Sequence, residues 1–179
     1  MRIITDATQL DNKQWKSLAE TSPVASIFQT IDFYHFISEL KLYKTKVIAV
    51  EDNGMLQGLV VCLIQSEGCG LKRWCTSRAI VNGGPLLNKD ISPKALRALL
   101  EATIVHLKKE CVYIETRNLN DYSPWKEAFV ESRFAYVPHN NYHIDTTTEE
   151  IALKRMDTNR RRGIRRAKEN GAKIGRAHV

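Results

Sequence analysis

The chain has 179 residues, 43% hydrophobic and 26% charged, which is enough to bury one substantial core. No apolar run approaches the roughly 20 residues of a membrane-spanning helix, and the opening MRIITDATQLDNKQW has no basic stretch followed by an apolar one, so neither a transmembrane segment nor a signal peptide is expected. The net charge is +7, and residues 154 to 168 carry all of it: eight basic groups against one acid, Asp157. The rest of the chain is neutral, so a concentrated cationic patch is expected rather than a generally basic protein.

Residues 2–5 (RIIT) have the composition of a short strand. Residues 11–20 follow as a helix with Asp11 as its cap and Trp15, Leu18 and Ala19 on one face. After SPVASIFQ, Thr30 caps a second helix in which Ile31, Phe33, Tyr34, Ile37 and Leu40 recur at helical spacing. KVIAVED, the turn Asn53-Gly54 and LQGLVVCLIQ make a strong hairpin signal, two apolar runs joined by the dipeptide that best accommodates positive φ. KRWCTSRAIVNGGPLL is expected as a third strand, ending at Gly83-Gly84-Pro85. Ser92-Pro93 opens a long helix, CVYIETRNL is a further strand, and Ser123-Pro124 opens WKEAFVESR as a helix. FAYVPHNNYHIDTT is expected as a final strand bent at Pro138, and a single basic helix runs from about Thr148 to Asn170, stopped by Gly171. The expected fold is a mixed α/β sheet of order β-α-α-β-β-β-α-β-α-β followed by the basic helix.

The four cysteines, Cys62, Cys69, Cys75 and Cys111, have neither CxxC spacing nor paired histidines, so neither a zinc site nor a disulfide framework is expected. Reduced thiols fit a cytoplasmic protein best. His139 and His143 lie four apart in an extended stretch, where such residues share a face but stand far apart, and no metal site is expected.

The element order is similar to the GNAT fold of acyltransferases, and three stretches narrow the likeness. SPVASIFQTIDFYHF resembles the opening of the Fem-type aminoacyltransferases that build peptidoglycan bridges, with Gln29 and Phe33 at the glutamine and aromatic of that pattern. SRAIVNGGPLL resembles the Gly-Pro strand end after their meander, and RMDTNRRRGIRRAKENGAKI resembles their basic helix, closed by a glycine. Proteins of that family hold two GNAT-like domains. The resemblance therefore implies a GNAT-like domain over 1–147 and a basic helix over 148–173, leading to a second domain beyond it. The final IGRAHV back-translates to the start of a common sequencing adapter, so 174–179 are read as not native.

A GNAT domain that binds acyl-CoA has an Arg/Gln-x-x-Gly-x-Gly/Ala turn whose backbone amides hold the pyrophosphate. The corresponding stretch, Arg78 to Pro85, has the arginine and glycines without that spacing, and Pro85 removes an N–H donor. Acyl-CoA binding by this half is therefore not expected. The resemblance implies aminoacyl-tRNA as donor, a muramyl-peptide precursor as acceptor and no bound cofactor or metal. A lipid-linked acceptor would bring the protein to the inner membrane surface.

In the basic helix, Lys154, Arg155, Arg161, Arg162, Arg165, Arg166 and Lys168 fall on an arc of roughly 160° at 100° per residue, opposite Ala152, Leu153, Met156, Ile164 and Ala167. Like charges four apart, Arg161 with Arg165 and Arg162 with Arg166, oppose helix formation by roughly 0.2–0.5 kcal/mol per pair, which points to an anionic partner. The alternative is that solvent or acidic groups elsewhere neutralise the run. No catalytic group is assigned: Asp32, Glu115, Tyr142 and Asp145 are polar candidates with cap or surface roles as defaults. By resemblance, Tyr34 and His35 face the substrate cleft. Two further readings stand beside aminoacyl transfer: a GNAT N-acyltransferase using acyl-CoA on another acceptor, and a non-catalytic RNA-binding module. The fragment alone is expected to be inactive.

Overall fold

The computed structural model describes residues 1–40, 42–140 and 144–172. The chain divides into two compact units, Met1–Val137 and Pro138–Val179.

The first unit is built on one mixed sheet. Its strands are β1 (Arg2–Ile4), β2 (Lys44–Asp52), β3 (Met55–Gln65), β4 (Arg78–Gly83), β5 (Leu86–Leu87) and β6 (Tyr113–Asn118). The order is β1-β2-β3-β4-β6, with β5 paired to β3. All pairings are antiparallel except β4 with β6, which run parallel from Arg78↔Tyr113 to Gly83↔Asn118. The hairpin turn forms at Asn53-Gly54, where both residues have positive φ.

The unbroken apolar runs of β2 and β3 arise because both faces of the sheet are covered. Ile48, Val50, Val60 and Cys62 point into the core beneath α4 (Pro93–Leu107), with Leu96, Leu99 and Leu100. Val47, Ala49, Leu59 and Val61 point to the other face, under Trp15 and Leu18 of α1 (Asn12–Thr21). At Gln57 the register slips by one residue, since Val50 pairs with Gly58 and Glu51 with Leu56. That bulge turns Leu56 onto the same face as Leu59 and Val61. Helix α2 (Ile31–Glu39) is capped by Thr30, whose Oγ1 accepts the Phe33 N–H at 3.2 Å.

Three sequence expectations need correction. The stretch after β3 does not enter a strand directly: Gly70–Cys75 forms a short helix, α3, and β4 starts only at Arg78. Gly68 and Gly70 take positive φ to make the loop, and the Thr76 hydroxyl closes it on Glu67. The expected last strand does not form among the described residues of 134–147. Helix α5 (Lys126–Glu131) ends in a reversal, with Arg133 at φ 65° and Phe134 N–H donating to Phe129 O at 2.9 Å. Tyr136 and Val137 beyond it are exposed, while the central part of that expectation, 141–143, lies outside the described residues.

The third correction concerns the basic helix, which is two helices, α6 (Glu149–Arg155) and α7 (Thr158–Glu169). Met156 is extended, and Asp157 restarts the helix by accepting the Asn159 N–H at 2.8 Å. Asp157-Thr158-Asn159 is N-cap chemistry, and it outweighs continuation of the charged run. Ala152, Leu153 and Met156 therefore do not belong to the apolar side of α7.

Candidate functional site

In an open α/β sheet the carboxyl ends of parallel strands are the usual place for a ligand, and here those ends meet at Gly83 and Asn118. The side chain of Gln29, wholly buried, occupies that place. Its Nε2 donates to Gly84 O at 2.7 Å and Gly83 O at 3.1 Å, and reaches the Tyr122 hydroxyl at 3.3 Å. Its Oε1 accepts the Ser26 N–H at 2.7 Å and the Ser26 hydroxyl at 3.1 Å. Its backbone carbonyl accepts the Trp15 indole N–H at 2.8 Å. Tyr122 lies within donating distance of Gly83 O and Pro85 O, at 2.9 and 2.7 Å. Burial drives the Tyr122 hydroxyl well above the ordinary tyrosine value, so it remains a neutral donor.

The two glycines are required by this packing. A Cβ on Gly83 would lie 2.2 Å from Ser26 Oγ, and one on Gly84 2.5 Å from Asn118 Oδ1 and 2.6 Å from the Tyr122 oxygen. Both have positive φ, 79° and 80°. The Gly84 N–H turns back to Val81 O at 3.4 Å, and Gly83, Gly84 and Pro85 are all buried. The glycine turn is a structural joint that fastens the segment before α2 to the end of β4.

Of the two α2 candidates, Tyr34 is half-buried, with its ring against Trp15 at 5.8 Å and the edge of His35 at 5.5 Å; His35 is exposed. Tyr34 is thus first a packing residue. Asp32 is exposed in the first turn of α2. Glu115 binds Arg117 Nε at 2.7 Å, and Asp145 accepts both the N–H and hydroxyl of Thr147, which hold its carboxyl below the usual range. Tyr142 and His143 lie outside the described residues. Among the described residues no cluster of three or more His, Cys, Asp or Glu is arranged to hold a metal ion.

In α7 the residues Arg161, Arg162, Arg165, Arg166 and Lys168 are all exposed. Lys168 reaches Glu149 Oε1 at 3.4 Å and Arg161 reaches Thr158 Oγ1 at 3.3 Å. Among the described residues Arg162, Arg165 and Arg166 have no acidic partner within ion-pair distance. Gly163, Ile164 and Ala167 line a shallow notch on the other side of the helix, together with Arg160.

A third feature has no counterpart among the residues singled out from the sequence. An open groove of about 1190 Å³ runs along the start of β2, the end of β3, α3 and the start of β6, with Tyr43, Lys44, Arg73, Trp74, Arg78 and Tyr113 on its walls. Glu110 sits in it between Lys44, at 2.6 Å, and Lys46. Partial burial pushes the Glu110 carboxyl up, but the hydrogen bonds from the two ammonium groups outweigh that and hold it below the ordinary glutamate value. The signal for α3 was present as Leu71, Trp74 and Cys75 at helical spacing.

Solved structures share this architecture. FemX superposes with a TM-score of 0.57 at 16% identity over 73% of this chain and 31% of FemX. The fold is GNAT-like. A probable acetyltransferase gives 0.53 at 13% identity, over 83% of this chain and 100% of its own. The aminoglycoside N-acetyltransferase AAC(6')-Iy, solved in complex with CoA, gives 0.51 at 11% identity over 80% of this chain and 98% of its own. The chain thus spans about a third of FemX and nearly the whole of the two acetyltransferases. No family model and no curated protein matches it. Among the described residues no helix is long and apolar enough to cross a membrane.

Proposed function

We propose that the chain is the first, GNAT-like part of a Fem-type acyltransferase that moves an aminoacyl group from aminoacyl-tRNA to an amine of a muramyl-peptide precursor. In that reaction the acceptor nitrogen attacks the ester carbonyl, the tRNA hydroxyl leaves, and the amine proton passes to the leaving oxygen or to solvent. The amine supplies the nucleophile, so positioning and charge stabilisation carry most of the rate. The observation that supports this reading above the others is the row of exposed arginines on α7, of which Arg162, Arg165 and Arg166 have no acidic partner among the described residues. Planar guanidinium groups suit phosphate oxygens, and several in a row suit a nucleic-acid backbone. His35 and the exposed part of Tyr34 are the acceptor contacts in this proposal. The reaction centre would lie in a second domain, consistent with the chain spanning a third of FemX.

A second reading, an N-acyltransferase using acyl-CoA, has support in the CoA-bound acetyltransferase that the chain covers almost completely. The inward-facing Gly83-Gly84 turn weighs against it, because those carbonyls and the Gly84 amide are already engaged. The deciding experiment offers the protein encoded by the whole gene two donors, aminoacyl-tRNA and acetyl-CoA, with a muramyl pentapeptide as acceptor. Transfer from the tRNA alone supports the proposal; transfer from acetyl-CoA alone replaces it with the second reading. In parallel, tRNA binding by the 179-residue chain should weaken steeply with salt. It should be lost when Arg161, Arg162, Arg165 and Arg166 are changed to Glu, and binding unaffected by that change would remove α7 from the site.

A further inference from the structure

Among the described α-helices of the first unit, α3 is the one that buries none of its residues. Leu71 is 77% exposed and Trp74 56% exposed. At three residues' separation they share one side of the helix, with Lys72 and Arg73 between them. The projection is nonetheless tied down: Thr76 Oγ1 donates to Glu67 O and accepts the Glu67 N–H, each at 2.9 Å, and Arg73 Nε donates to Ser66 Oγ at 3.3 Å. On the same groove Leu42 is 71% exposed, and Tyr43 and Tyr113 are exposed on its walls. Lys44, Lys46, Lys72, Arg73 and Arg78 supply positive charge in this region, against Glu67 and Glu110, and Glu110 is already spanned by Lys44 and Lys46.

The residue types narrow what this surface meets. Protein interfaces are depleted in lysine at their centres, whereas here Lys72 lies between Leu71 and Trp74 on α3. A nucleic acid would use the arginines and aromatic rings, but exposed Leu42 and Leu71 would add little to phosphate or base contacts. An anionic bilayer uses every part: aliphatic side chains enter the acyl boundary, Trp and Tyr sit at headgroup level, and cations meet the lipid phosphates. We infer that α3 and the adjoining groove rim form a docking surface for an anionic lipid bilayer.

The test is co-sedimentation of the 179-residue chain with phosphatidylcholine vesicles and with vesicles enriched in phosphatidylglycerol. Binding is expected only to the anionic vesicles and should weaken with salt, with a blue shift of tryptophan emission that disappears in Trp74→Ser. Leu71→Ser with Trp74→Ser, and separately Lys72→Glu with Arg73→Glu, should each lower the partition coefficient at least about tenfold. These variants should keep the main thermal transition of the parent, because none of the four side chains belongs to the buried core. Changing Arg161, Arg162, Arg165 and Arg166 to Glu should leave vesicle binding in place. No binding to anionic vesicles, binding unchanged in both α3 variants, or binding lost only in the α7 variant would overturn the inference. So would α3-dependent capture of polyuridylate without vesicle binding. No donor or acceptor enters this assay, so its failure is separate from failure of the acyl-transfer reading.

Discussion

The end of β4 and the helix α7 both concentrate polar groups, and they treat them oppositely. At the strand end, Gln29 and Tyr122 are buried and satisfy the carbonyls of Gly83, Gly84 and Pro85. In α7 no residue is buried, and the arginines point to solvent. Buried polar groups are as a rule hydrogen-bonded, and in the first arrangement the Gln29 amide and the Tyr122 hydroxyl are engaged within the fold. An exposed row of like charges keeps all its capacity for a partner and contributes nothing to the fold. The two polar sets are therefore separable by mutation, one through stability and the other through binding.

The sharpest way to break that contrast is at the strand end. Gly84→Ala should cost about 3 kcal/mol or more, because the added carbon meets Asn118 and Tyr122 well inside contact distance at a φ of 80°. A shift in the thermal midpoint of only a degree or two would show that the joint is loose. Gln29→Ala should cost about 3 kcal/mol, chiefly from the buried Gly84 carbonyl and Ser26 N–H left without partners. Tyr122→Phe should cost less, about 1–2 kcal/mol, since Gly83 O keeps Gln29 while Pro85 O loses the hydroxyl. Denaturant titration of the three variants should give that order.

Smaller effects are expected in the tail. Asp157→Ala removes the cap that restarts the helix and should reduce α7 stability by about 1 kcal/mol, visible as lost helical circular dichroism without a change in the main unfolding transition. Glu110 gives a comparable effect with a definite pH dependence. Its folded value lies below its unfolded value, so its contribution is present above about pH 4.3 and is lost as pH falls through the folded value. Glu110→Gln should lower stability by about 1 kcal/mol at neutral pH and flatten the acid limb of the stability profile. Replacing Arg161, Arg162, Arg165 and Arg166 by Ala should change stability by less than about 0.5 kcal/mol. The same change should reduce the slope of log affinity for tRNA against log salt by about 3, and an unchanged slope would mean that these arginines touch no phosphate.

Much of the molecule was readable from its residues, and the reasons are local. Asp11, Thr30 and Ser92 are caps that bond the backbone two or three residues on, so α1, α2 and α4 start where the sequence places them. Asn53-Gly54 sets the hairpin through positive φ, and the apolar runs beside it need burial on both faces. The excess of charge in residues 154–168 follows from composition alone. The cap at Asp157 is equally local, since Asp157, Thr158 and Asn159 mark a break inside the charge run.

What tertiary structure alone decided is where distant groups meet. The importance of Gln29 depends on contacts 54, 55 and 93 residues away, and no local pattern discloses that its amide closes the end of the parallel strands. Gly83-Gly84-Pro85 has the composition of an open anion-binding turn and becomes a buried joint only because Ser26, Asn118 and Tyr122 converge on it. The one-residue slip at Gln57, which aims Leu56 at the core, likewise depends on pairing with β2 rather than on the strand's own sequence. Local chemistry sets where helices and turns begin; the convergence of strands decides which polar groups are used up in the fold and which remain free to bind.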